Sequence, residues 1–468
     1  MNLYGITAAR GRALLAATLL VGLLAVEAQA GGGGPKTQLV SRQSQSAGGA
    51  GGDQSSYNPS VSANGRYVAF QTFADNLGGP IDTFGSGSNV YVYDRERRRV
   101  ELISRRSNNG PGADDSAYDP EISASGRYVT FTTSADNLGG PLDVSVQNVY
   151  VYDRERNKVR LVSRRSGRNG VGADASASGS SPSANGRFVV FTTQADNLGG
   201  PLDTSIDNIY VYDLETRRVR LVSRRSGRNG AGANGNSFVG SLSASGRFVA
   251  FETEATNLGG PTQTDPLEQD ANVYVYDRET RKVVLVSRRS KAAGGAGGND
   301  SSADPFISAN GRFVAFETNA ANLGGPIGTA DPVSDDSIYV YDRERERVEL
   351  VSRRSQGAGG QGANDDSDDP VLSRDGRYVA FETDATNLGG PLLNDPAPDD
   401  NAYLYDRERN QVELVGRASG RNGAACDDDC GDPYVSMNGR FVAFETEADN
   451  LGGPLDTSSS NVYVRDRG

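Results

Sequence analysis

The sequence predicts an all-β fold: one seven-bladed β-propeller of four-stranded antiparallel blades, its ring closed by an N-terminal strand that completes the last blade. Three observations carry this reading. The stretch Asp304 to Thr318, DPFISANGRFVAFET, recurs in seven copies at a spacing of roughly 60 to 65 residues, which overrides the two or three domains that 468 residues would otherwise suggest. The seventh copy ends at Asn461 to Gly468 without a fourth strand. The segment Thr37 to Arg42, TQLVSR, matches the fourth-strand sequence VELVSR at Val348 to Arg353 yet precedes the first copy. Pairing that orphan strand with the last blade uses every strand and removes both open sheet edges.

Residues 1–30 are of another kind. Arg10 and Arg12 precede an apolar run, Ala13 to Val26, and the small-residue pattern Ala28-Gln29-Ala30, which reads as a secretory signal peptide. The run is shorter than the roughly 20 residues of a spanning helix, so no membrane span is expected after cleavage. Residues 31–36 form a glycine-rich leader, and residues 37–468 the propeller. Removing the leader takes away Arg10, Arg12 and Glu27, so the formal charge of -12 becomes -13. An exported, acidic chain disfavours a nucleic-acid partner and simple attachment to anionic lipid.

In the first unit the expected strands are Asn58 to Ser62, Arg66 to Thr72, Asn89 to Tyr93 and Val100 to Ser104. The hairpin between the first two turns at Asn64-Gly65, and its counterparts turn at Ser125-Gly126, Asn185-Gly186, Ser245-Gly246, Asn310-Gly311, Asp375-Gly376 and Asn438-Gly439. The second and third strands, YVAF and VYVY, are apolar or aromatic at successive positions, so both faces of each sheet need cover, as radial stacking provides. The recurrent ADNLGGP, first at Ala74 to Pro80, is read as a turn, with Leu77 filling the gap between sheets.

These units resemble the WD40-like repeats of the TolB-type propeller family. That family has a Ser-Pro-Asp-Gly-Lys/Arg turn before one strand and an Asp-rich turn after the third; here the matching residues are Ser62-Ala63-Asn64-Gly65-Arg66 and Tyr93-Asp94-Arg95-Glu96. The resemblance spans Thr37 to Gly468 and implies the fold. It implies no particular function, since propellers of this type serve unrelated roles. The count of seven units, without a separate N-terminal domain, departs from TolB itself.

In a propeller the first and third connections of every blade share one face and the other two share the opposite face. The first face carries the turn arginines and Arg95-Glu96-Arg97-Arg98-Arg99; the second carries Asp331, Asp335, Asp336, Asp365, Asp366, Asp368, Asp399 and Asp400, the candidate binding residues. Each turn arginine is expected to pair across strands with the aspartate that ends the third strand: Arg66 with Asp94, Arg127 with Asp153, Arg187 with Asp213, Arg247 with Asp277, Arg312 with Asp342, Arg377 with Asp406 and Arg440 with Asp466. An anion-binding role for the arginine face is the alternative. Cys426 and Cys430, in CDDDC, are expected to form a local disulfide in an oxidising compartment.

The absence of histidine excludes Ser-His-Asp and Cys-His hydrolases and the usual histidine-ligated metals. The absence of tryptophan excludes the sialidase-type Asp-box. A carboxylate enzyme acting on glycans needs only two suitably placed acids, about 5 to 10 Å apart in a deep axial pocket. The acidic residues are, however, spread over every loop, and none is set apart by an apolar neighbourhood that would raise its pKa. No cofactor is expected. The acidic loops read as solvated, with calcium as the alternative, because neither an intact EF-hand nor a tandem nonapeptide occurs. The expectation is a monomeric, non-catalytic scaffold, periplasmic or secreted, that presents its acidic face to a protein or glycan of the cell envelope. A functional site in so regular a chain should show as broken symmetry, and the breaks are CDDDC and the long loops Pro261 to Asn272, Pro326 to Ser337 and Pro391 to Asn401.

Overall fold

Seven four-stranded antiparallel sheets make up the protein. The computed structural model describes residues 34–79, 87–140, 146–200, 206–261, 270–325, 336–390, 400–453 and 459–468. The expected signal peptide, Asp331, Asp335, Asp399 and most of the three long loops lie outside the described residues. Among the described residues, no helix is long and apolar enough to cross a membrane.

Blade one comprises β2 (Ser56–Val61), β3 (Tyr67–Thr72), β4 (Asn89–Asp94) and β5 (Arg99–Leu102), hydrogen-bonded in that order. The N-terminal strand β1 (Lys36–Leu39) pairs antiparallel with the last strand, Asn461–Asp466, setting Gln38 opposite Val464. The ring thus closes as the orphan strand implied. Blade seven also departs from the repeat at this seam: the tyrosine that precedes the last aspartate of the other third strands is replaced by Arg465. That arginine is 1% exposed and donates to Thr37 Oγ1 and to the carbonyls of Arg417, Ala418 and Gly420. A buried guanidinium is tolerated because several acceptors replace its water.

Alternation along each third strand builds the interface between blades. Val90 and Val92 pack with Phe131, Tyr150 and Tyr152 of blade two, while Tyr91 and Tyr93 lie in the cluster with Val462 and Val464 of blade seven. Small side chains of one sheet thus face large ones of the next, and the same arrangement supplies a core to every pair of neighbours. Within each blade a tyrosine stacks on the second-strand phenylalanine, as Tyr91 does on Phe70 with centroids 6.3 Å apart. Leu77 is buried in that cluster, and Asn76 donates to the Gly51 carbonyl, tying the ADNLGGP turn to the preceding loop.

The turn glycines do more than allow a hairpin. Gly311 has φ +75, and a Cβ there would lie 2.1 Å from Cδ2 of Phe248 in the preceding blade. Blades approach closely only because this position has no side chain.

The first strands differ from expectation. They begin two residues earlier, at Ser56 in blade one, and run through the Asn-Pro and Asp-Pro pairs that read as boundaries in the sequence. The register slips between Tyr57 and Ser60, a bulge in which Asn58 adopts φ 51; Asp119, Gly179, Asp304, Asp369 and Asp432 do the same in their blades. Asn, Asp and Gly are the residues that accept this left-handed conformation.

Gly311→Ala is expected to destabilise the fold by about 2 to 4 kcal/mol, because the clash adds to the strain. Gly78, with φ +86 and nothing within 4 Å, carries strain alone, so Gly78→Ala should cost only about 1 kcal/mol. Urea denaturation midpoints of the two variants measure the difference; equal shifts would refute the close-approach account.

Candidate functional site at the axial mouth

Charge on the hairpin face is neutralised locally. Arg66 binds Asp94 through both Nε and Nη2, at 3.0 and 2.7 Å, while its Nη1 reaches Glu96. Arg127, Arg187, Arg247, Arg312, Arg377 and Arg440 meet Asp153, Asp213, Asp277, Asp342, Asp406 and Asp466 with the same bidentate geometry. Burial alone would raise Asp277, but hydrogen bonds from Arg247, Thr280 and backbone amides outweigh it and carry its pKa down to about 2. These aspartates also accept from the turn that follows, as Asp94 does from the amides of Glu96 and Arg97. The geometry is that of a turn brace.

The axis is different. The innermost strands line a cavity of about 360 Å³, and Asp119, Glu121, Asp304, Asp369 and Asp432 reach it. Its waist holds Phe306 against Tyr434, edge to face with centroids 6.0 Å apart, beside Glu121.

Above the waist the bulges organise the acids. Among the described residues, the amide at the bulge position turns in five blades to an acceptor on the second strand of the preceding blade. Glu445 accepts from the Asn58 amide at 2.8 Å, Glu252 from Asp304 at 2.9 Å and Glu382 from Asp432 at 2.6 Å. Gln71 does the same for Asp119, and Thr192 for Val239. The acceptor is therefore charged only in blades four to seven, as Glu252, Glu317, Glu382 and Glu445. The bulge residue is Asp in three of those same blades. One side of the mouth thus concentrates carboxylates.

Among the described residues, none of these acids forms an ion pair with Lys or Arg, and their pKa values rise. Burial pushes Glu382 up to about 8, with Asp369 and Asp432 adding repulsion. Burial also lifts Asp369 to about 7, again reinforced by Asp432. Glu317 and Glu445 rise first through burial and then through Asp304 and Asp432 respectively. Crowded carboxyls of this kind share protons rather than ionise independently. Desolvation lifts Glu121, half-buried at the waist, to about 7 against the opposing hydroxyl of Ser181. The expectation that no acid is set apart is therefore overturned, because the repeat brings sequence-distant acids together around the axis.

Of the loop aspartates singled out from sequence, Asp368, lifted by burial and then Asp336 to about 6, adjoins Asp369, and Asp400 contributes repulsion to Asp368, Glu382 and Asp432. Asp366 instead accepts the amide of Asp336 at 2.8 Å, and Asp365 accepts that of Asp366 at 3.2 Å, so both brace loops. Cys426 and Cys430 are joined in a disulfide, and Cys430 begins the strand that carries Asp432. Asp369, Glu382 and Asp432 offer oxygens within 4.8 Å of one another, a set suited in chemistry to a hard cation. That is a crowded group rather than two isolated acids. Aromatic rings flank the carboxylates: Tyr57 and Phe73 of blade one meet edge to face, Phe73 and Phe238 are exposed, and Phe238 of blade four pairs with Glu252 across the strands.

No family model matches the chain, and no curated protein does. Solved structures do, including TolB-type and other propellers. The β-propeller domain of the Trilobed protease from Pyrococcus furiosus, described as having an open velcro topology, is 11% identical with a TM-score of 0.50; the match covers 88% of this chain and 95% of that one. An oligogalacturonate lyase in complex with manganese is 12% identical, with TM-score 0.49 and coverage of 92% and 97%. TolB from Acinetobacter baumannii is 13% identical with TM-score 0.39, over 74% of this chain; the chain spans 62% of that protein's length. At such identities the likeness is one of fold.

Stability should depend on pH in two opposite ways. The axial acids have folded pKa values above their unfolded ones, so their contribution is complete below about pH 4 and lost as pH rises through 7 to 8. The arginine-paired aspartates are lowered, so theirs is lost as pH falls from about 4 toward 2. The thermal midpoint is expected to be higher at pH 5 than at pH 8. In the double variant Asp369→Asn, Glu382→Gln that difference should shrink; an unchanged difference would show that the axial acids stay ionised in the fold.

Proposed function

We propose that this protein is a non-catalytic binding scaffold whose acidic face takes a basic segment of a protein partner at the axial mouth. The observation that supports this reading most directly is the group of unpaired carboxylates around Asp369, Glu382 and Asp432. A lysine or arginine entering there relieves repulsion that the fold itself leaves uncompensated. The exposed rings of blades one and four suit such a guest, because ring faces attract ammonium and guanidinium groups. Export is part of the proposal: it rests on the signal-like N-terminal segment and on the disulfide, a bond of oxidising compartments.

A second reading, carboxylate acid–base chemistry on a glycan, is favoured by acids that hold a proton near neutrality, Glu121 and Glu382 among them. Calcium held by Asp369, Glu382 and Asp432 is compatible with either.

Immobilised protein should retain a lysine- and arginine-rich peptide over an acidic peptide of equal length, and Asp369→Asn, Asp432→Asn should weaken retention by about tenfold or more. Repeating the assay with calcium and with EDTA separates a metal bridge from direct pairing. Equal retention of both peptides would overturn the proposal, and turnover of an oligosaccharide that is lost in Glu382→Gln would favour the enzyme.

A further inference from the structure

A second break in symmetry lies on the rim, far in sequence from the acidic cluster and opposite to it in charge. In every blade but the third, where Leu214 stands, an arginine follows the third-strand aspartate and packs on the blade before. Arg154 lies 4.3 Å over the ring of Tyr67, donates to Gly126 O and forms an ion pair with Glu101 at 2.9 Å. Arg407 and Arg467 repeat this with Glu349 and Glu413, both at 2.9 Å. The carboxylate always stands at the same register position, the third residue of the outer strand: Glu101 opposite Val92, Glu349 opposite Val340, Glu413 opposite Leu404.

The other four joints lack that carboxylate, with Gln38, Arg160, Arg220 and Val284 at the position, and only between blades three and four does an arginine there face the rim arginine of the next blade. Arg278 still sits 4.0 Å over Phe188 and still donates to the Gly246 carbonyl, but the residue at the register position, opposite Val211, is Arg220. A cavity of about 350 Å³ opens here, lined by Arg220, Arg224, Arg228, Arg278, Arg281 and Asn229 among others. Among the described residues none of these five arginines forms an ion pair, in a protein with a net charge of -12. Arg224 is held in place by the carbonyls of Arg228 and Gly230, at 3.1 and 2.8 Å. Burial lowers Arg278 to about 10, with Arg220 adding repulsion and Asp213, itself braced by Arg187, opposing it, so Arg278 remains a cation at neutral pH.

We propose that this rim cavity binds a multivalent oxyanion, a phosphate or sulfate group, with Arg220 and Arg278 as its central donors. Guanidinium groups present paired N–H donors that match two oxygens of such an anion, and several converging on one concavity select multivalent over monovalent charge. The group has two possible sources, a free inorganic ion or an ester on a larger molecule, and the chemistry of recognition is the same for both.

Isothermal titration of the full chain with inorganic phosphate, inorganic pyrophosphate and a sulfated disaccharide, at constant ionic strength set by chloride, tests this. Saturable one-to-one binding of at least one of them is expected. Binding of the inorganic ions points to a free ion, and binding of the disaccharide alone to an ester. Arg220→Glu places a carboxylate beside Arg278 and should abolish binding without lowering the thermal midpoint. Arg278→Leu copies Leu214, the residue at the same position of blade three, and should abolish it too. Arg160→Glu makes the same charge change one blade earlier and should leave binding intact. No saturable binding of any probe, binding that survives both Arg220→Glu and Arg278→Leu, or equal loss in Arg160→Glu would overturn the proposal.

Discussion

The structure depends on how closely one blade can lie on the next, and that is set by an aromatic ring resting on a backbone with no side chain. Tyr67 covers Gly126, Phe248 covers Gly311 and Phe441 covers Gly65, and each would meet an added Cβ at 2.2 Å or less. From above, the next blade's arginine lies on the same ring, as Arg154 does on Tyr67 and Arg95 on Phe441. Ring, glycine and guanidinium form one joint that recurs around the propeller, and the valine-to-tyrosine packing beneath it follows from the distance the joint sets.

Repetition made this architecture legible. Turn dipeptides, strand cores and the orphan segment at Thr37 to Arg42 state the blade count and the closure without reference to any partner. The candidate site was much less legible. Asp304, Asp369 and Asp432 belong to Asp-Pro pairs that read as strand starts, and Glu317, Glu382 and Glu445 to the FET that ends a conserved-looking strand core. Runs of aspartate in the outer loops stand out more in the sequence, yet Asp365 and Asp366 there cap local backbone. The missing ingredient was radial depth: the first strand of a blade is innermost, so variation along it faces the axis. Tabulating the bulge residue over the seven copies as Asn, Asp, Gly, Val, Asp, Asp, Asp would have exposed the asymmetry.

Charge is therefore not smeared over this acidic molecule but sorted by blade. Blades four to seven gather carboxylates at the axis, where the charge-neutral Gln71, Thr132 and Thr192 hold the same position elsewhere. The joint between blades three and four gathers guanidinium groups at the rim.

The seam at β1 carries a kinetic implication. Every other sheet is assembled from strands that follow one another along the chain, but the Val462 amide reaches Ser41 Oγ across a sequence separation of 421 residues. Contacts of that range carry the largest loop-closure entropy in the molecule and form last. Until then the seventh sheet lacks one strand, and Arg465 has none of its acceptor in Thr37. A chain emerging N-terminus first would hold six finished blades and an exposed strand edge while waiting for the last segment. During that interval it is vulnerable to pairing with a second copy of itself, a period in which a binding chaperone would matter most.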